Sequence, residues 1–310
     1  MINILFAAKS ESWVEYEPCL RQALDETGLS YRLSTQAADP AMVDYIIYAP
    51  NNTLNDFTPF TRTKAVLSLW AGVERIASNK TLTMPLARMV DFGLTEGMVE
   101  WVTGHTLRHH LGMDRHILGQ DGKWRDYVPP LARDRTVGVL GLGALGGACA
   151  QALAALNFQV LGWSRKQKEI EGVTCLAGDN GLDQLLENSE ILILLLPLTT
   201  DTENLLNTKR LSQLPKNAVV INPGRGPLID DTALLAALDS RHISHATLDV
   251  FRKEPLPADH PYWAHPNVTV TPHIASATRP NSAARVIVDN IRRSEAGEPL
   301  LHLVDRDAGY

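Results

Sequence analysis

The sequence predicts an α/β protein whose sheets are mostly parallel. Three observations carry that expectation. Short apolar runs of strand length recur along most of the chain. Stretches with helical periodicity lie between several of them. One run passes through a glycine-spaced turn directly into a helical stretch, so strand and helix alternate as they do when helices cover both faces of a sheet.

The elements follow in order. The run INILFAA reads as a buried strand, and a helical pattern covers Trp13 to Thr27. DYIIYAP and KAVLSLW complete a first alternating set that reaches about Val90. A long helical stretch runs from about Thr95 to Leu118. GQDGKWRDYVPPLARD after it reads as an exposed connection, rich in glycine, proline and charge. A second set runs from Arg135 to about Pro272, with strands TVGVLGLG, FQVLGW, EILILLLP, NAVVINPG and HATLDVF, then VTVT. Helical patterns cover Ala144 to Asn157, Leu182 to Asn188 and Asp231 to Ser240. Apolar runs of this kind fit strands buried on both faces of a parallel sheet. The tail from Ala277 to Ala296 is helical in pattern and is expected to pack back on the first set, which makes that domain discontinuous.

Composition narrows the function classes. The chain has 310 residues, 45% hydrophobic and 21% charged, enough for two domains with cores. The net charge of -6 and the lack of a basic stripe exclude nucleic acid as the expected partner. MINILFAAKSESW has neither the basic n-region nor the apolar run of a signal peptide. The longest apolar run, ILILLLPL, is too short to span a bilayer, so no membrane partner is expected. Cys19, Cys149 and Cys175 are odd in number, widely spaced and outside any CxxC. They read as small core residues in a reducing compartment. The expectation is a soluble, cytoplasmic protein.

VGVLGLGALGGACAQAL places Gly141, Gly143 and Gly146 in GxGxxG spacing, after a strand and at the start of a helix. That context makes a weak pattern informative. Gly141 permits the tight turn, Gly143 lets a pyrophosphate approach the backbone, and Gly146 lets helix and strand pack closely. Ala144 and Leu145 lie within the same loop, where the helix N-terminus offers N–H groups to an anion. The next strand, FQVLGW, ends where an acidic residue commonly binds the adenosine ribose of NAD. Ser164, Arg165 and Lys166 stand there instead. A carboxylate would repel a 2′-phosphate, whereas arginine binds it through paired hydrogen bonds and serine donates another. The site is therefore expected to take NADP(H) in preference to NAD(H).

Three later loops follow strands and carry groups able to do chemistry. NPGRGP presents Arg225 between two glycines, RKEPLP places Glu254 before Pro255, and PHIASAT places His273 after Pro272. Histidine can deliver a proton near neutral pH, and a neighbouring carboxylate favours its charged form and fixes its tautomer. Arginine on such a loop is a candidate clamp for a carboxylate. Each residue taken singly also fits a structural role, and spacing alone does not bring the three together.

With these motifs in view, the chain resembles the D-isomer-specific 2-hydroxyacid dehydrogenases nearly end to end. GVLGLGALGGACAQAL, LLLPLTTDT, VVINPGRGPLIDDTALLAAL, LDVFRKEPLP and VTVTPHIASAT are similar to family blocks, in order. WSRKQK and the C-terminal VDRDAGY resemble the glyoxylate/hydroxypyruvate reductase A group within it. The resemblance implies two Rossmann- or flavodoxin-like domains with an active-site cleft between them. Residues 1–92 plus 276–310 would form the substrate domain, and residues 93–275 the dinucleotide-binding domain. It implies that Arg225 orients the substrate, that His273 is the general acid in reduction, and that Glu254 pairs with His273. LWAGVE matches the family's substrate loop, so Trp70, Ala71, Gly72 and Val73 are expected at the substrate. Leu196, Pro197 and Asp249 fall at family cofactor-contact positions. Trp70 and Glu74 depart from the commoner family residues, which leaves pocket size open. The resemblance further implies a homodimer through residues 93–130 and no need for a metal. Trp124 either reaches toward a partner's pocket or packs on its own domain.

His105, His109 and His110 are close on one helical pattern but lack a convincing set of further ligands, and they read as helix-surface or interface residues. The activity expected is reduction of glyoxylate and hydroxypyruvate. Two rivals stand beside it: a reductase for a bulkier 2-oxo acid such as phenylpyruvate, and a non-catalytic, dinucleotide-sensing protein of the co-repressor kind.

Overall fold

The computed structural model describes residues 1–51, 53–306 and 308. Asp307, Gly309 and Tyr310 of the C-terminal motif therefore lie outside the described residues. The chain separates into two compact units, Met1–Leu94 with Ala277–Tyr310, and Thr95–Ser276.

Unit 1 contains β1 (Ile2–Ala7), α1 (Ser10–Asp25), β2 (Tyr31–Ser34), β3 (Tyr45–Tyr48), β4 (Ala65–Ser68), α2 (Glu74–Ala77), β5 (Leu86–Ala87) and α9 (Pro280–Glu295). Among the described residues its sheet has five parallel strands in the order β2-β1-β3-β4-β5, the flavodoxin order. Every residue of β3 and β4 is buried, as continuous apolar runs in a two-faced sheet require. Leu20 and Leu24 of α1 share a core cluster with Ala283, Ala284, Ile287, Val288 and Ile291 of α9. The α9 residues recur at helical spacing, so one stripe of that helix is apolar. Each large aliphatic side chain fully buried there contributes ~1.5–3 kcal/mol. A polar tie adds to the packing: Tyr45 Oη donates to Glu295 Oε1 at 2.5 Å, and Lys64 Nζ lies 2.6 Å from the same oxygen.

Unit 2 contains β6 (Thr136–Leu140), α5 (Ala144–Ala155), β7 (Gln159–Ser164), β8 (Val173–Ala177), α6 (Gly178–Asn188), β9 (Ile191–Leu194), α7 (Thr208–Gln213), β10 (Ala218–Asn222), α8 (Asp231–Asp239), β11 (Ile243–Leu248) and β12 (Val268–Val270). Its seven strands are parallel, in the order β12-β11-β10-β9-β6-β7-β8. The first strand, β6, is central. The chain steps outward to β7 and β8, then returns beside β6 as β9 and continues the other way. That reversal is the topological switch point at which open α/β sheets bind ligands, outside the carboxyl ends of the strands.

The expected long helix is two helices, α3 (Phe92–His110) and α4 (Met113–Ile117). Gly112 separates them in the left-handed region, with φ +63. In the connection that follows, Trp124 is 96% exposed, so it does not pack on its own domain. Among the described residues no helix is long and apolar enough to cross a membrane.

The α3 histidines are less exposed than a helix-surface reading implies: His105 and His109 are half-buried. His110 is buried, with its ring edge-on to Phe158. His109 Nε2 lies 2.8 Å from Thr247 Oγ1, and its ring stands 4.9 Å from that of His245. His245 Nε2 lies in turn 2.8 Å from Thr269 Oγ1. Burial, reinforced by His245 and Arg108, lowers the pKa of His109 to about 3. Burial and Arg108 lower that of His245 to about 4. In the unfolded chain both return to about 6.5. The unfolded state thus takes up protons first as the pH drops. The stability these neutral rings allow is complete above about 6.5 and is lost as pH falls toward their folded values. The melting temperature is therefore expected to fall steeply between about pH 6.5 and 4. His245→Gln should flatten that fall, and an unchanged pH dependence in the variant would refute the assignment.

Candidate active site

The residues with chemical potential lie at the carboxyl ends of the unit 2 strands. After β6, Gly141 adopts φ +103, and a Cβ on it would stand 2.5 Å from the Leu195 carbonyl oxygen. A Cβ on Gly146 would stand 1.8 Å from the Gly141 oxygen. Gly141 is thus required where the loop approaches the backbone just after β9, and Gly146 where α5 approaches the loop. Gly143 differs: nothing lies within 4 Å of where its Cβ would be. It is the N-cap of α5 and supplies no side-chain cap, so the first-turn N–H groups there gain no partner from it. Ala144 is exposed and Leu145 half-buried. The open side of Gly143 and the uncapped helix start fit a pyrophosphate. Gly146→Ala is expected to shift the loop off α5, destabilise the unit by ~1–3 kcal/mol and abolish detectable dinucleotide binding. Calorimetric titration with NADP would show this; unchanged binding would contradict the loop's role.

At the end of β7, Ser164 Oγ donates to the Lys166 carbonyl at 2.7 Å and closes the turn. Arg165 and Lys166 are exposed. No carboxylate stands from Ser164 to Lys168. Sequence reasoning missed Lys168, whose Nζ donates to the Leu142 carbonyl at 2.5 Å. An ammonium thus ties this turn to the glycine loop. The signal available was a third cation four residues after Ser164. Beyond β9, Leu196 is buried, and the carbonyl of half-buried Pro197 accepts from Thr202 Oγ1 at 2.7 Å.

The three later loops are held to one another by contacts within unit 2. His273 Nδ1 lies 2.7 Å from Glu254 Oε2. The other carboxylate oxygen, Glu254 Oε1, accepts from the Phe251 N–H at 2.9 Å, so the carboxylate is fixed on both sides. Asp249 organises the histidine loop. Its Oδ1 accepts from Thr271 Oγ1 at 2.6 Å and from the Ile274 N–H at 2.9 Å, and its Oδ2 accepts from the Ala275 N–H at 2.9 Å. Its own carbonyl accepts from the His273 N–H at 2.8 Å. These bonds hold His273 at φ +54, a left-handed conformation that a non-glycine residue keeps only when its surroundings impose it. The Asp249 side chain, expected at the cofactor, is fully buried with both oxygens used in this loop. The arginine loop joins through Gly226, where a Cβ would stand 2.1 Å from the Phe251 carbonyl carbon. Only glycine lets the Arg225 loop lie against the Phe251–Arg252 backbone. Arg225 is half-buried, and its Nη1 donates to the Gly224 carbonyl at 2.7 Å.

In unit 1, the segment after β4 leads into α2. Ser68 Oγ donates to the Trp70 carbonyl at 2.9 Å and accepts from the Trp70 N–H at 3.0 Å. Val73 is buried in a core cluster with Ile76 and Leu82, whereas Trp70 is 48% exposed. Ala71 and Gly72, between these anchors, are half-buried.

Among the described residues no group of three or more histidine, cysteine or acidic side chains is placed to hold a metal. Cys149 is fully buried, and burial pushes its thiol up to about 12, which makes it a core residue and not a nucleophile.

Comparison with known proteins gives a consistent result. Residues 103–275 match the family model for the D-isomer specific 2-hydroxyacid dehydrogenase NAD binding domain. The glyoxylate/hydroxypyruvate reductase A of Yersinia enterocolitica is 38% identical over 310 residues, covering 95% of this chain and 98% of that one. A D-isomer specific 2-hydroxyacid dehydrogenase from Xanthobacter autotrophicus Py2, solved with NADPH and MES, is 41% identical with a TM-score of 0.91, covering 99% of each chain. The NADPH-dependent glyoxylate/hydroxypyruvate reductase of Sinorhizobium meliloti, solved with NADP and sulfate, is 36% identical with a TM-score of 0.88, covering 100% of each.

Proposed function

The chain belongs to the D-isomer-specific 2-hydroxyacid dehydrogenases, and on that premise we propose that it uses NADPH to reduce glyoxylate to glycolate and hydroxypyruvate to glycerate. The observation that carries this reading is the 2.7 Å pair of His273 Nδ1 and Glu254 Oε2, at the carboxyl ends of the strands of the sheet that bears the glycine loop. A bound nicotinamide dinucleotide supplies the hydride that adds to the substrate's carbonyl carbon. The protein supplies the rest. With Nδ1 donating to Glu254, the protonated ring presents Nε2–H to the carbonyl oxygen, and that proton passes to the oxygen as its negative charge develops. Glu254 stabilises the imidazolium before transfer and fixes the neutral tautomer after it. Arg225 holds the substrate carboxylate, and the backbone N–H groups of Ala71, Gly72 and Val73 assist it. Unit 2 is the dinucleotide-binding domain and unit 1 the substrate domain. Gly141, Gly143, Ala144, Leu145 and Gly146 cradle the pyrophosphate, and Leu196 and Pro197 line the path of the cofactor. Asp249 serves that end by fixing the loop beside it.

The NADP reading is supported by Ser164, Arg165 and Lys166 in a turn without a carboxylate, and by relatives solved with NADPH or NADP. The reading of a homodimer through residues 93–130 is supported by exposed apolar side chains in that stretch, Ile117 at 64%, Leu118 at 79% and Val128 at 85%. Substrate class is tested by the rate of NADPH oxidation with glyoxylate, hydroxypyruvate and phenylpyruvate. The small acids are expected to give the higher kcat/KM. Preference for phenylpyruvate would move the assignment to bulkier acids, and turnover of none would favour the dinucleotide sensor.

A further inference from the structure

The C-terminal motif around Arg306 has no part in the chemistry described so far, yet it grips the segment that follows the substrate loop. Arg306 Nε donates to the Ala77 carbonyl at 3.2 Å and Nη2 to the Asn79 carbonyl at 2.9 Å, while Nη1 donates to the Leu82 carbonyl. Three main-chain oxygens at the end of α2 and in the turn beyond it thus converge on one guanidinium. The approach of the tail is fixed as well. Ala87 and Leu303 form an antiparallel bridge, the Val304 N–H donates to the Leu86 carbonyl at 2.8 Å, and Arg88 N–H to the His302 carbonyl at 3.0 Å. Val304 is 6% exposed and sits in the same core cluster as Val73, Ile76, Ala77 and Leu82.

We propose that Arg306 is a positioning residue for the substrate loop, setting affinity for the 2-oxo acid by fixing the four-residue helix that Val73 leads into. This rests on the reading that the N–H groups of residues 71–73 hold the substrate carboxylate. α2 (Glu74–Ala77) is too brief to hold its own geometry, because a helix of one turn cannot recover the entropy of nucleation. One hydrogen bond, Ala77 N–H to the Val73 carbonyl at 2.8 Å, spans it. Outside support must therefore fix where Val73 points its backbone. The buried side chains of Val73 and Ile76 provide part of it, and the guanidinium adds polar support at the opposite end. Arginine suits this task because its five donors form a rigid planar fork, whereas lysine offers one compact charge.

The test compares Arg306→Ala and Arg306→Lys with the unaltered full chain. KM for glyoxylate should rise about tenfold in Arg306→Ala, with kcat and the Kd for NADPH little changed. Arg306→Lys should fall between. Hydrogen exchange gives a readout independent of activity. The Ala77 amide should exchange faster in Arg306→Ala, while Met89, whose N–H is bonded to the Trp70 carbonyl, should not change. Melting temperature and circular dichroism confirm that each variant folds; should Arg306→Ala fail that check, Arg306→Lys carries both measurements. Unchanged exchange at Ala77 in a folded variant overturns the positioning role. Faster exchange with unchanged KM overturns the proposal by showing that the loop does not hold the substrate. If the unaltered protein turns over no 2-oxo acid, the functional reading fails, and the exchange result alone still decides whether Arg306 orders the loop.

Discussion

Replacing His273 with alanine is expected to lower kcat for 2-oxo acid reduction by ~10²–10⁴-fold, the usual contribution of a positioned general acid. The dinucleotide should still bind, because the glycine loop and the turn at Ser164 do not involve this side chain. The backbone complicates the alanine variant: His273 lies at φ +54, where alanine is strained. Asparagine tolerates that conformation better and still lacks a proton to give. His273→Asn should therefore restore loop geometry without restoring rate. Near-normal turnover in either variant would remove His273 from the mechanism. Recovery in the asparagine variant alone would show that the loss came from the loop and not from the missing acid.

Arg225→Ala should reduce kcat/KM for glyoxylate about a hundredfold, corresponding to loss of a charge-assisted contact of ~2–5 kcal/mol. Affinity for NADPH should be unchanged. The loop itself should survive, since its fit to the Phe251–Arg252 backbone depends on Gly226 and not on the arginine side chain. Arg225→Lys should recover only part of the loss, because an ammonium does not reproduce the paired hydrogen bonds of a guanidinium. An unchanged kcat/KM in Arg225→Ala, measured by steady-state kinetics, would refute the clamp.

What was legible in the sequence depended on the length and apolar continuity of each run. β10 is buried at all five residues, and its run AVVIN reads as a strand at sight. β8 has no fully buried residue, β2 has only one, and β5 has two residues in all. β8 is interrupted by exposed Thr174, β2 by exposed Arg32, and β5 is too short to show a pattern, so periodicity passes over them. Helix α3 is legible as a helix, but the left-handed turn at Gly112 depends on a single residue inside a continuous pattern. The candidate site divides in the same way. Arg225, Glu254 and His273 are visible because each follows a recognisable strand. The role of Asp249 is not, because its partners are a hydroxyl and two main-chain N–H groups that lie 22 to 26 residues away. The burial of His109 is hidden for the same reason, since its partner Thr247 is 138 residues distant. Main-chain partners leave no side-chain signature, and only the fold brings them together.

The most direct measurement of the central claim is the initial rate of NADPH and of NADH oxidation, side by side, with glyoxylate and with hydroxypyruvate. Turnover is expected to be fast with NADPH and slow with NADH. No oxidation of either dinucleotide with either acid would contradict the claim.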